Sequence, residues 1–292
     1  MSGRRRVWID TDPAITAGNG EVDDGFALVQ ALRSPELEIV GVSAVFGNTD
    51  LDHTYAMARE IVVRAGRSEL PVYRGCAHAS DRAANDATKA LAAALEAAPL
   101  TIAALGPLTT IAATLGQASV NPADVSELIF VGGRRRNLEF RATPTQREPF
   151  RDLNFELDPA AAAELLALGV PMTWAGWEVS AQMWLTPDDL DTLTRDGDAC
   201  TAWLAVSARQ WQAKWQSSFG APGFTPFDTL AIGWILVPQW FEAHHWRGHV
   251  NQTGDVALLI ADDMLPGNGV TYLRSVDNAA FRADLMARLL SG

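Results

Sequence analysis

Cysteine is scarce: the 292 residues hold two, Cys76 and Cys200, which excludes a disulfide framework and the paired spacing of a zinc site. Long apolar runs are missing as well. The basic start Met-Ser-Gly-Arg-Arg-Arg leads straight into a strand-like run, with no apolar stretch of signal or membrane length after it. No export signal, no membrane partner and a cytoplasmic location are therefore expected. Positive charge is also in short supply, since 23 Lys and Arg against 35 Asp and Glu leave a net charge of −12. The one basic stripe beyond the start is Arg134-Arg135-Arg136, so a nucleic-acid polymer is not an expected partner. Internal repeats, low-complexity tracts and a convincing interdomain linker are absent too. What remains is a chain that is 48% hydrophobic, long enough to bury a large core as one domain spanning residues 1–292.

Apolar strand-like runs alternate with helical ones. Strands are expected at Leu37–Phe46, Val72-Tyr73, Leu100–Leu105, Glu127–Val131, Val170–Gly176 and Val256–Ile260. Helices are expected at Asp52–Ala65, Ala83–Ala98, Leu108–Leu115, Pro159–Leu168 and Ala279–Leu290, with further helices dominating from Pro187 to Val237. This alternation predicts an α/β fold with a mainly parallel sheet flanked by helices.

Four aspartates crowd the first 24 residues: Asp10-Thr11-Asp12-Pro13, then Asp23-Asp24 nine residues on. They follow the apolar run Val7-Trp8-Ile9 and precede the helical run Gly25-Phe26-Ala27-Leu28. The carboxylates thus sit where a strand ends and a helix begins, the edge at which α/β folds bind ligands. Such crowding of like charge is relieved by a cation, and a hard one such as Ca²⁺ takes several carboxylate and carbonyl oxygens. Helix capping is the alternative: Asp23 or Asp24 alone would serve as an N-cap, although a cap leaves Asp10 and Asp12 unexplained. The irregular stretch from Arg134 to Leu157 is too long for an ordinary connection, and loops of that kind are functional or mobile. At its end, Asp152 and Asn154 alternate around Leu153 and are candidates to face a ligand, whereas Asp158 before Pro159 reads as a helix N-cap.

Together these segments resemble the inosine–uridine preferring nucleoside hydrolases. Trp8-Ile9-Asp10-Thr11-Asp12-Pro13 with Val22-Asp23-Asp24-Gly25-Phe26 is similar to the family's N-terminal signature. Val45-Phe46-Gly47-Asn48-Thr49, Pro71–Gly75, Ala104–Ile111, Phe130–Gly133, Asp152–Pro159 and Phe227–Ala231 follow in family order, covering about residues 7 to 236. The resemblance implies a Ca²⁺-dependent nucleoside N-ribohydrolase with its site at the carboxyl edge of the sheet. It implies Asp12, Asp24 and Asp228 as carboxylate ligands of the ion, with the backbone carbonyl of Val131, and Asp10 in support close behind. Asp23 would take the proton from the attacking water. Asn48, Gln146, Asp152 and Asn154 would hold the ribose hydroxyls. A homodimer or homotetramer is also implied.

The chain departs from the family pattern in four places. Residues 14–22 form an insertion between Pro13 and Asp23, Asp152 stands where Glu is usual, and Gln146 where Asn is usual. Phe227 occupies the position at which pyrimidine-accepting members carry a His that protonates the leaving base. Purine-specific relatives place an aromatic there, so Phe227 shifts the expectation toward purine nucleosides, with base stacking worth ~1–3 kcal/mol. His78, in a loop at the same strand edge, is the other candidate near the base. His53 begins a helix, and His244, His245 and His249 are read as surface residues. Among Trp203, Trp211 and Trp215, at helical spacing, there is room for one or two to line the base pocket. Two other functions stay open: hydrolysis of some other ribosylated small molecule, and non-catalytic, metal-dependent nucleoside binding.

Overall fold

Strands and helices alternate from the first strand onward. The computed structural model describes residues 3–17, 20–144, 146–253, 256–264 and 267–292. The order begins β1 (Arg5–Thr11), α1 (Asp23–Leu32), β2 (Leu37–Ala44), α2 (Leu51–Arg64), β3 (Val72–Arg74), α3 (Asp86–Ala97), β4 (Leu100–Ala104) and α4 (Thr109–Leu115). It continues with β5 (Val125–Phe130), β6 (Arg134–Arg135), α5 (Leu153–Leu157), α6 (Pro159–Ala167), β7 (Met172–Trp174), α7 (Trp177–Ser180) and α8 (Pro187–Asp196). The last elements are α9 (Ala199–Phe219), α10 (Phe227–Leu236), β8 (Phe241–Thr253), β9 (Val256–Asp262), β10 (Asn268–Val276) and α11 (Asn278–Leu290). Among the described residues, no helix is long and apolar enough to cross a membrane.

Among the described residues, ten strands join one sheet in the order β3-β2-β1-β4-β5-β7-β10-β8-β9-β6. Neighbours from β3 to β10 are parallel, and β10-β8 and β8-β9 are antiparallel. The sheet is therefore mainly parallel and flanked by helices, as the alternation predicts. The antiparallel β8 and β10 were not legible. The β8 sequence, with His244, His245, Arg247, His249, Asn251 and Gln252, lacks the apolar β-branched run that marks a strand.

Side-chain alternation along β1 places Val7 and Ile9 in the core on one face of the sheet and Trp8 in the core on the other. Trp8 stacks on Tyr73 at 5.6 Å. Burying each such side chain contributes roughly 1.5–3 kcal/mol. Polar residues fix most helix starts. The Asp50 carboxylate accepts from the His53 amide at 3.0 Å, and Asn85 forms a capping box with Thr88. Asp158 caps α6 ahead of Pro159, accepting from the Ala161 amide at 3.2 Å. Helices α1 and α10 are exceptions: their N-cap residues, Val22 and Pro226, supply no side-chain cap. Both helices instead carry aspartates in their first turn.

The topology creates the crevice. Strand β1 has β2 on one side and β4 on the other, so the chain leaves these strands in diverging directions at their carboxyl ends. Open α/β sheets bind ligands at this kind of switch point.

Candidate active site

A cavity of about 450 Å³ opens at the carboxyl edge of the sheet. The segments after β2, β4, β5 and β7 line it with Asn48, Leu105, Val131 with Gly132, and Ala175 with Gly176. The first turns of α1 and α10 add Asp23, Phe227 and Asp228.

Carboxylates form its floor. Oxygens of Asp23, Asp24 and Asp228 all lie within 4.8 Å of one another, and the three residues are buried. One Asp24 oxygen accepts from the Thr11 hydroxyl and from the Asp12 amide at 3.0 Å. Asp12 is fully buried beside them, and its Oδ2 accepts from the Asn48 amide at 2.8 Å. Gly47 and Gly106 make this fit possible: a Cβ at Gly106 would come within 2.7 Å of Asp12 Oδ1, and one at Gly47 would collide with Oδ2. Only glycine lets these two loops press against the carboxylate. Behind Asp12, the Trp8 indole donates to Ser43 Oγ at 2.8 Å, and the Ser43 hydroxyl donates to Asp10.

Among the described residues, Asp10 Oδ2, Asp12 Oδ1 and Asp23 Oδ1 are buried without a hydrogen-bond partner. Buried polar atoms are nearly always paired. Burial pushes every acid here upward, and neighbouring carboxylates add to it at Asp10, Asp12, Asp23 and Asp228. Asp10 rises to about 8 and Asp24 to about 6, and Asp12, Asp23 and Asp228 rise well above the carboxylate range. A cluster of hard oxygen donors with unpartnered atoms and unrelieved negative charge is fit to hold a divalent metal ion.

The sugar-side candidates divide. Asn154 Nδ2 donates to the Leu105 carbonyl at 2.6 Å and to the Val131 carbonyl at 3.1 Å, so it braces two of the loops that form the floor. Asp152 Oδ2 accepts from the Gly133 amide at 2.9 Å. Burial raises Asp152 to about 6 even though the Arg134 charge pulls it down. Asn48, Asp152 and Asn154 all face the cavity.

The opposite wall is aromatic. Phe227 packs against Trp177 at 5.6 Å and Trp215 at 6.1 Å. Phe150 joins them, 5.3 Å from Trp177 and from Trp215, with Phe219 at 4.8 Å. A flat π face is the ligand shape such a wall accepts.

A sequence model of the family described as inosine-uridine preferring nucleoside hydrolase matches residues 7–283. The chain belongs to that family. It is 27% identical over 266 aligned residues to the non-specific ribonucleoside hydrolase RihC of Escherichia coli, covering 82% of this chain and 81% of the relative. Among solved structures, a plant nucleoside hydrolase superposes with a TM-score of 0.85 at 22% identity, covering 99% of each chain. A purine-preferring ribonucleoside hydrolase from Gardnerella vaginalis superposes with a TM-score of 0.85 at 21% identity, covering 98% of each. These two share the fold.

As a nucleoside hydrolase, the chain is an enzyme acting on the N-glycosidic bond of ribonucleosides, and the family's metal dependence agrees with the acidic floor. The family match runs past residue 236, where the legible motifs stop, because the C-terminal part contributes strands rather than motifs. Two expected site residues lie elsewhere. Gln146 closes its own loop, accepting from the Ala142 amide at 2.8 Å and donating to the Glu148 carbonyl at 2.6 Å, and does not line the cavity. His78 is exposed, with its ring nitrogen 3.1 Å from the Ala79 carbonyl, and is likewise outside the lining. The neighbouring Ser80 amide is tied to Asp158 at 3.1 Å, which holds this loop against α6.

Other lining residues were not singled out in the sequence. Glu21, Phe140, Phe150, Arg151, Lys214 and Phe219 all line the cavity. Glu21 was visible as a fifth acid beside the aspartate signature, inside the insertion. Gly18 and Asn19, at the core of that insertion, lie outside the described residues. The aromatics carry no local signal: a bridge pairs Phe140 with Phe150, and only that closure brings both rings to the wall. Of the tryptophans at helical spacing, Trp211 and Trp215 line the cavity and Trp203 does not.

Proposed function

We propose that the protein hydrolyses ribonucleosides to ribose and free base in a Ca²⁺-dependent reaction with a preference for purines. One observation carries this reading: the unpartnered Asp23 Oδ1 belongs to an acidic floor that shares a single cavity with the Phe227 aromatic wall. Asp12, Asp24 and Asp228, with the carbonyl of Val131, would hold the ion. When bound, Ca²⁺ would offset the floor's charge, take the ribose 2′- and 3′-hydroxyls and acidify a water.

The residues account for the rest. Asn48, Asp152 and Asn154 hold sugar hydroxyls and fix the anomeric carbon over the floor. Asp23 accepts a proton from the attacking water. The water oxygen bonds to the anomeric carbon as the C–N bond breaks, and the electron pair of that bond goes to the base. Cleavage passes through an oxocarbenium-like sugar, whose positive charge the buried carboxylates stabilise. Phe227 donates no proton. It stacks on the base, which favours a purine that takes its proton on a ring nitrogen. The close grouping of Asp23 with Asp24 and Asp228 supports a second assignment, in which Asp23 is a ligand and Asp12, through its unpartnered Oδ1, takes the proton.

The test is ribose release from inosine, guanosine, adenosine, uridine and cytidine, measured by reducing-sugar assay with Ca²⁺ and with chelator. Purine-selective, chelator-sensitive release is expected. Equal release from uridine would remove the stacking argument, and release unaffected by chelator would remove the metal.

A further inference from the structure

Apart from the carboxylate floor and the sugar-side residues, the cavity presents three charged side chains: Glu21, Arg151 and Lys214. Arg151 is committed elsewhere, paired with Glu156 at 2.7 Å and with its side chain 65% exposed. Lys214 is different. The chain contains only two lysines, Lys89 and Lys214, and uses arginine at every other basic position. One of the two is therefore on the cavity. It extends from the C-terminal half of α9, with Nζ 4.6 Å from the Trp211 ring centroid. Among the described residues, it takes part in no close ion pair. Glu21 lines the same cavity, where it feels the Lys214 charge and bonds to Asp23. Trp211 and Trp215, one turn apart on α9, complete this end of the aromatic wall.

We propose that Glu21 and Lys214 determine base specificity by reading the outer edge of the leaving base, Lys214 donating to an exocyclic carbonyl and Glu21 accepting from the adjacent ring N–H. The aromatic wall meets the faces of a base and cannot tell one edge from another. The ammonium is a donor only, and a carboxyl oxygen of Glu21 can accept whether or not the group is ionised. A 6-oxopurine presents a carbonyl acceptor beside a ring N–H donor, which matches the pair. Adenine presents the reverse order, an amino donor beside a ring-nitrogen acceptor, and would set its amino group against the Lys214 ammonium. Lysine suits this position because its point charge on a flexible stem reaches a single oxygen, whereas the arginine fork favours planar, two-point partners. The proposal rests on the nucleoside-hydrolase reading above and assigns the choice of base to residues that reading leaves without a role.

The test uses the full chain. Lys214→Met keeps the length and the packing on Trp211 and removes the donor, and Glu21→Gln keeps the shape and removes the charge. Two readouts are taken: kcat/KM for inosine against adenosine, and calorimetric binding of hypoxanthine against adenine. Loss of a charge-assisted hydrogen bond predicts that the inosine-to-adenosine ratio falls about tenfold in Lys214→Met and recovers in Lys214→Arg, which restores a donor. Hypoxanthine binding falls with it. Ratios within about twofold of wild type in both variants, or wild-type binding of adenine as tight as that of hypoxanthine, overturn the proposal. If wild-type protein releases no ribose, the hydrolase reading fails, and the binding comparison still decides the proposal.

Discussion

Asp23 and Asp12 each keep one buried oxygen without a partner among the described residues, inside a wall of like charge. Leaving such atoms unpaired costs a protein stability, and strongly shifted acids in a cleft mark functional sites. Asp23→Asn removes the proton acceptor with little change in shape. It is expected to lower kcat by about 10²–10⁴, with KM moved far less, in steady-state kinetics on inosine. A near-normal kcat, together with that same loss in Asp12→Asn, would transfer the role to Asp12. Phe227→Ala removes a stacking face worth ~1–3 kcal/mol. It should lower kcat/KM for inosine by roughly tenfold and for uridine by much less, and equal losses would deny Phe227 any preference for purines. The four N-terminal aspartates and Phe227 were legible because short range fixes them: a strand end, a helix start and a motif. Gln146 and His78 fall outside the cavity lining, Gln146 because its amide closes its own loop on Ala142 and Glu148, His78 because its loop is tied to the distant Asp158.

Loops after parallel strands bear this site, and one residue ties several of them together. Asp158 caps α6, accepts from the Thr109 hydroxyl at 2.8 Å and the Ser80 amide at 3.1 Å, and pairs with Arg82 at 3.1 Å. Burial works against its charge, yet the Thr109, Ser80 and Arg82 contacts outweigh it and hold Asp158 below the usual carboxylate range. A lowered folded pKa stabilises the fold above the unfolded pKa, and that contribution disappears as pH falls through the folded value. Asp158→Asn should therefore cost about 2 kcal/mol near neutral pH by chemical denaturation. The gap between variant and wild type should narrow as pH falls below about 4. A gap independent of pH would assign the loss to capping alone. The N-cap role of Asp158 was legible from Asp-Pro, whereas its links to residues 80, 82 and 109 were not, because they come from two separate segments, the β3–α3 loop and the start of α4. The stretch from 134 to 157 was likewise legible as more than a connection by its length, and Phe140 and residues 150–154 of it line the cavity. That it carries β6, the Phe140–Phe150 bridge and α5 was not.

Negative charge concentrated at one edge couples the whole fold to its ion. Without a cation, acids raised to about 8 at Asp10, about 8 at Glu21 and about 6 at Asp24 favour the protonated, folded protein. Raised carboxylates contribute stability that is complete below their unfolded pKa and lost as pH rises through the folded value. Chelated protein should thus lose part of its stability between about pH 4 and pH 8. A bound cation replaces the protons, so the rise in Tm on adding Ca²⁺ should grow across that range in thermal melts with and without chelator. A Ca²⁺ effect that is constant or shrinks with pH would mean the ion binds away from this floor.

The mainly parallel sheet, the strand–helix edge as the place of the acids and the acidic signature were determined by the sequence itself. Each rests on hydrophobic period, strand–helix alternation and residues close together in the chain. The tertiary structure alone decided which side chains share the cavity. Glu21 and Lys214 stand 193 positions apart in the numbering, and the wall of Phe140, Phe150, Trp177, Trp215, Phe219 and Phe227 draws on four separate segments. No local propensity encodes such meetings. They arise when helices α1, α9 and α10 pack on one face of the sheet and bring their cavity-facing residues to the same carboxyl edge.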